Sequence, residues 1–137
     1  MMMTAKTKML ISLLLAVGLL TSAATATEGP RVIRLTADKD NRFKLPDQSK
    51  QVLTLKAGEE VILRVTAYAG TERAKDGSVH SLVIRSLRDQ GWDVRLKEGT
   101  QDLRLRAPSK AGEYLIECTV KCGPGHESMN LKVVVEQ

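Results

Sequence analysis

The sequence predicts an all-β protein, a Greek-key β-sandwich. Short segments rich in Val, Leu and Ile alternate with turn residues along most of the chain, a pattern typical of sandwiches. No stretch has a convincing helical periodicity. Aromatic residues make up only 3% of the sequence, so a core must come mainly from aliphatic side chains, which suit strands. At 137 residues, the chain is long enough for one domain and too short for two comfortable ones.

Successive strand-like segments begin at residue 31. Their predicted ranges are 31–37, 42–45, 51–56, 60–68, 79–85, 91–96, 101–107, 113–117 and 130–136. The seventh alternates polar and apolar residues, so Leu103 and Leu105 should face the core while the intervening arginines face water. Residues 70–78 are charged and flanked by glycine, which predicts a solvated loop.

The N-terminal residues 1–26 have the pattern of a secretory signal peptide. Two lysines precede an apolar segment of twelve residues, 9–20, and small residues at 24–26 supply a cleavage site. Twelve residues are too few to cross a bilayer, which needs about 20. We therefore expect a periplasmic or otherwise exported domain over residues 27–137, with no membrane span in the mature chain. An uncleaved N-terminal anchor is the alternative.

The charge of the chain is mild. The formal net charge is +5, and removal of the two leader lysines, from a segment without acidic residues, leaves +3. No basic stripe with interleaved aromatic residues is visible. The composition therefore favours a solvated basic surface and predicts no nucleic-acid partner.

One stretch, residues 118–129, concentrates metal-binding side chains. They are Cys118, Cys122, His126 and Met129. The sequence has only two Cys and two His, and the remaining His80 begins a predicted strand elsewhere. Met129 is the only methionine after residue 9. Thiolate, imidazole and thioether are ligands that select copper over calcium, magnesium or manganese, so the stretch predicts a copper site.

The spacing within this stretch allows more than one kind of site. Cys122 with both histidines and Met129 would make a mononuclear blue-copper ligand set. With Cys118 added, two thiolates could bridge two copper ions, each with one imidazole. Met129 would be a weak ligand of one ion, and the carbonyl of Val120 is the nearest candidate for the other. A disulfide between the cysteines is the alternative that the oxidising export compartment favours.

The pattern Cys-x3-Cys-x3-His-x2-Met, preceded by Val-His-Ser, resembles the binuclear copper A (CuA) domain of cytochrome c oxidase subunit II and of nitrous oxide reductase. The resemblance covers roughly residues 31–137, and its specific part is the ligand pattern. It implies a cupredoxin fold with a binuclear copper cofactor. The implied ligands are His80, Cys118, Val120 through its carbonyl, Cys122, His126 and Met129. The family usually has Glu where Val120 stands, a change that a carbonyl ligand should tolerate.

Other departures from the family concern the partner. Oxidase subunit II normally has a two-helix membrane hairpin and an aromatic-rich segment, and neither is visible here. Trp92 stands alone and is expected to be a packing residue. We therefore expect a monomeric, stand-alone electron carrier for a redox partner such as a cytochrome or an oxidase, and no enzyme in its own right. A copper chaperone for oxidase-type copper sites is the alternative.

Overall fold

The computed structural model describes residue 23 and residues 28–137, so the predicted signal peptide lies almost entirely outside the described residues. The described strands are β1 (Arg31–Ala37), β2 (Phe43–Lys44), β3 (Val52–Lys56), β4 (Glu60–Ala67), β5 (His80–Val83), β6 (Asp93–Leu96), β7 (Gly99–Arg106), β8 (Gly112–Glu117) and β9 (Asn130–Glu136). All nine predicted segments are confirmed as strands. The structure also has two short 3₁₀ helices, Arg85–Gln90 and His126–Ser128, that the sequence did not predict, because these segments have no helical periodicity.

The strands form two sheets with the orders β2-β1-β4-β7 and β3-β9-β8-β5-β6. Two pairings, β1 with β4 and β3 with β9, are parallel, and the others are antiparallel. From β2 to β5 the chain changes sheets at every step, and the parallel pair β1 and β4 is connected by a crossover that passes through β3 of the other sheet. This arrangement confirms the predicted β-sandwich.

The core lies between the sheets and follows the alternation of the strands. On β4, Val61, Leu63 and Val65 are fully buried while Arg64 is exposed, as a strand with one inward face requires. Trp92 is also fully buried, and its indole N–H donates to the Arg106 carbonyl at 2.9 Å. The single tryptophan is therefore part of the packing between β6 and β7.

Strand order and register bring three chain segments to one end of the second sheet. Val83 on β5 pairs with Glu117 at the end of β8, and Glu117 in turn pairs with Asn130 at the start of β9. The stretch 118–129 must therefore begin and end on neighbouring strands, beside the start of β5 where His80 lies. In the part of the chain that the structure describes, no helix has the length and apolar character needed to cross a membrane.

Candidate metal centre

His80 is the first residue of β5 and is fully buried. Its Nε2–H donates to the Tyr68 carbonyl at 2.7 Å, which leaves Nδ1 as the nitrogen with a free lone pair. Nδ1 is buried and has no hydrogen-bond partner among the described residues. An unsatisfied buried polar atom costs free energy, so such atoms usually have a partner. The lone pair of His80 Nδ1 is therefore available to bind a metal ion.

Cys118 directly follows β8 and is held by backbone groups. Its sulfur accepts the Ser81 N–H at 3.4 Å, and its thiol donates to the Val120 carbonyl at 3.3 Å. The Cys118 N–H donates to the Met129 carbonyl at 3.2 Å, which ties both ends of the stretch together. The Val120 carbonyl, which the sequence analysis predicts as a metal ligand, thus lies beside the Cys118 sulfur.

Cys122, His126 and Met129 lie on the loop between β8 and β9. The Cys122 sulfur is 3.5 Å from His126 Nδ1 and 3.8 Å from the Met129 sulfur. Gly123 and Gly125 have φ of 125° and 91°, which L side chains rarely adopt, so glycine is needed for the bend from Cys122 to His126. His126 is half-buried, whereas both sulfurs are buried.

The structure brings all six predicted residues together at one end of the sandwich. The ligand atoms of His80, Cys118 and Cys122 lie within 4.8 Å of one another, a group that could hold a metal ion. Both cysteines are free thiols. The cluster has two halves: His80 and the Val120 carbonyl beside the Cys118 sulfur, and His126 and Met129 beside the Cys122 sulfur.

The two thiols have opposite pKa shifts. Burial opposes the Cys118 thiolate, but the nearby His80 ring and the Ser81 N–H outweigh burial and lower the pKa of Cys118 to about 7. Burial, followed by the charge of Cys118, raises the pKa of Cys122 to about 12. Burial also opposes a charge on His80, but the Cys118 sulfur and the Tyr68 carbonyl together raise the pKa of His80. The pKa of Cys118 therefore lies near neutral pH, whereas that of Cys122 lies far above it.

Supporting residues come from the loop 70–78, which the sequence-based analysis did not connect with the cluster. The Glu72 N–H donates to the Cys122 carbonyl at 3.2 Å. A Cβ at Gly70 would collide with that same carbonyl. The predicted loop 70–78 is mostly exposed, as expected, but its first residues lie against the ligand loop. Only Ser81, next to His80 in Val-His-Ser, could have been suspected from the sequence.

Several solved structures are similar to this chain. A chain of a heme-copper terminal oxidase matches 79% of it at 22% identity with a TM-score of 0.57, and 66% of that oxidase chain is covered. The periplasmic domain of cytochrome oxidase subunit II from Bradyrhizobium japonicum matches 80% at 13% identity, with a TM-score of 0.54 and 86% of that domain covered. Auracyanin A, a blue copper protein from Chloroflexus aurantiacus, matches 79% at 20% identity, with a TM-score of 0.51 over its full length.

The chain has a cupredoxin fold. These similarities confirm the predicted fold and its likeness to the periplasmic domain of oxidase subunit II. This chain spans slightly less than two thirds of the oxidase chain. No protein-family model matches the sequence, and no curated protein is significantly similar to it. Because all three identities are below 25%, the comparisons establish the fold, and the metal content has to be argued from the site.

Proposed function

We propose that this cupredoxin is an exported electron carrier with a binuclear CuA-type copper centre. The observation that carries the proposal is the pairing of groups in the cluster. Two cysteine sulfurs lie close together, and each has its own imidazole and its own weak donor beside it. A mononuclear site would need only one of the thiols, and a structural disulfide would need neither histidine.

The donor set fits copper. Thiolate and thioether sulfurs are soft ligands, and imidazole is a common copper ligand. The free lone pair of His80 Nδ1 has no other partner among the described residues. Cys118 already loses its proton near neutral pH, whereas Cys122 must be deprotonated by metal binding, so loading should release protons.

Bound copper would supply one-electron redox chemistry, and the residues around it would keep the ligand positions constant. His80, Cys118, Cys122 and Met129 are buried, so water has little access to the cluster. Strand ends and backbone hydrogen bonds hold His80 and Cys118. Half-buried His126 is the ligand position nearest to solvent, and we propose that electrons enter or leave there.

Location and partners follow from the same proposal. The predicted signal peptide, residues 1–26, would direct the chain to the periplasm, and the similarity to a periplasmic oxidase domain supports that location. The partner would be a redox protein such as a cytochrome or an oxidase, and the carrier would act as a monomer. Delivery of copper to an oxidase-type site is the second candidate, since the notably low pKa of one thiol would also suit metal capture.

Copper reconstitution tests the proposal. The protein should take up two copper ions per chain and cycle reversibly between redox states. Its electron paramagnetic resonance spectrum should have hyperfine structure from one electron shared equally by two copper nuclei. One copper per chain would instead indicate a mononuclear site. Cu(I) that resists oxidation and passes readily to a competing chelator would indicate a copper chaperone.

The bridging role of Cys118 can be tested separately. Cys118→Ser should lower the copper content to one ion per chain or less and abolish the shared-electron spectrum, because only one bridging sulfur is left. Met129→Leu is the matched control: it removes a weak donor but keeps both sulfurs, and should keep two copper ions. A Cys118→Ser protein with the parent spectrum would contradict the assignment.

A further inference from the structure

Asn41 has an unusual place in the turn between β1 and β2. It is the only non-glycine residue with positive φ among the described residues, at 59°, and it is only 3% exposed. Asparagine tolerates this left-handed conformation better than most residues. A buried amide side chain, however, is normally stabilised by hydrogen bonds, so its partners indicate its role. The turn itself is fixed by Asp38, whose carboxylate accepts the N–H groups of Asp40 and Arg42 at 2.9 and 3.0 Å.

The Asn41 side chain reaches the ligand loop across 83 residues of sequence. Its Nδ2 donates to the Pro124 carbonyl at 2.6 Å. Pro124 lies within the bend that separates Cys122 from His126. This bond therefore ties the loop that carries Cys122, His126 and Met129 to a turn of the other sheet.

Two glycines enclose the amide. A Cβ at Gly70 would be 2.5 Å from Asn41 Oδ1, and a Cβ at Gly123 would be 3.3 Å from Asn41 Nδ2. Oδ1 is buried and has no hydrogen-bond partner among the described residues. The Asn41 side chain thus has one unsatisfied oxygen, while its nitrogen makes a hydrogen bond to the ligand loop. Such an arrangement favours a positioning role over simple filling of space, for which an apolar side chain would suffice.

We propose that Asn41 is a positioning residue for the ligand loop. Its amide fixes the Pro124 carbonyl and, through it, the relative placement of Cys122 and His126. The consequence for copper rests on the proposed function. The consequence for the loop follows from the contacts of the protein itself and can be measured without metal.

The first test uses the metal-free full chain and Asn41→Asp. This change keeps the side-chain shape and the tolerance of positive φ, but it replaces the donor with an oxygen that repels the Pro124 carbonyl. The His126 and Ser128 amides, which donate to Gly123 and Gly125, should exchange with solvent about tenfold faster, as expected for one lost hydrogen bond. Amides of β4 and β7 should be unchanged. Asn130→Asp, at an exposed position, controls for the added charge.

Acidification provides a rescue experiment. Once protonated, the carboxyl introduced by Asn41→Asp can donate to Pro124 through its O–H. Protection of the loop amides, corrected for intrinsic exchange rates, should therefore recover at low pH in this variant and not in the Asn130→Asp control. A merely structural defect would not recover on protonation.

The second test uses copper-loaded protein. Loss of an outer contact of this kind typically weakens metal binding about 10- to 100-fold. Asn41→Asp should weaken copper binding within this range and shift the optical and electron paramagnetic resonance spectra, because Cys122 and His126 move relative to Cys118. A role in stability alone would lower the unfolding temperature and leave the spectra unchanged.

The outcomes separate the two proposals. Unchanged loop exchange in Asn41→Asp would overturn the role of Asn41, even if the parent protein binds two copper ions. Faster loop exchange in a protein that binds no copper would support the loop contact and refute the proposed function. If Asn41→Asp does not fold, Asn41→Gly, which keeps the positive φ and removes the amide, provides the same exchange measurement with the same two outcomes.

Discussion

The two halves of the proposed centre are held by different kinds of structure. His80 and Cys118, the strand-held half, lie at the start of β5 and the end of β8, which are neighbours in one sheet. Cys122, His126 and Met129, the loop-held half, lie on the connection from β8 to β9. Sheet register determines the first half before any metal binds. The second half depends on tertiary contacts, which can be altered without disrupting a strand.

The supporting contacts differ accordingly. The strand-held half is supported mainly by backbone groups that almost any substitution would preserve, the Tyr68 carbonyl and the Ser81 N–H. One side chain adds to them, because the Ser81 hydroxyl accepts the Thr119 N–H at 2.7 Å. The loop-held half has one backbone support, the Glu72 N–H, and two supports that depend on side-chain identity, the Asn41 amide and the close packing at Gly70. Substitutions of supporting residues should therefore displace the ligand residues of the loop-held half more than those of the strand-held half. Removal of a strand-held ligand residue itself is the exception.

The largest expected contrast is between the two histidines. His80→Gly and His126→Gly should each abolish the shared-electron copper spectrum, because each removes one imidazole. Added imidazole should restore the spectrum of His126→Gly, since this half-buried side chain leaves a gap open to solvent. It should not restore His80→Gly, since His80 is fully buried. The measurement is a spectroscopic titration of both copper-loaded variants with imidazole.

N-methylimidazole, which has only one nitrogen able to bind metal, is the control ligand for this experiment. It should rescue His126→Gly as well, because His126 contacts the cluster through one nitrogen. Equal rescue of both histidine variants would contradict the difference in access between the two halves.

A smaller effect is expected from the contact that closes the loop-held half. Gly70→Ala should lower the free energy of unfolding by about 1–3 kcal/mol, the usual cost of overpacking. The new methyl group would collide with the Cys122 carbonyl and the Asn41 side chain. Urea unfolding of the metal-free protein measures the change. Gly29→Ala is the matched control, because nothing lies within 4 Å of a Cβ there.

A stable Gly70→Ala protein with unchanged copper spectra would show that the loop can move away from residue 70 freely. The loop-held half would then be more adaptable than its packing indicates.

The sequence allowed the strands and the candidate ligand residues to be identified, because both depend on local signals, and the structure brings those six residues together. Alternation along 101–107 identifies β7, and the scarcity of Cys, His and Met isolates the ligand stretch. Apart from Ser81, the supports could not be predicted. Tyr68 acts through a carbonyl that every residue has, and Asn41 is 83 residues from Pro124. Contacts of this kind depend on how loops of both sheets meet, which no local pattern encodes.

The smallest expected effect is electrostatic and concerns the two thiols. The pKa of Cys118 is lowered from an ordinary 9.0 to about 7, because His80 and the Ser81 N–H outweigh burial, whereas burial raises that of Cys122 to about 12. As pH rises, thiolate absorbance of the metal-free protein should therefore increase in two steps, Cys118 first. Cys118→Ser should remove the first step, and His80→Gln should move it to higher pH. A single step near the ordinary thiol pKa would mean that the two halves do not differ electrostatically, and that the strand-held half owes its character to geometry alone.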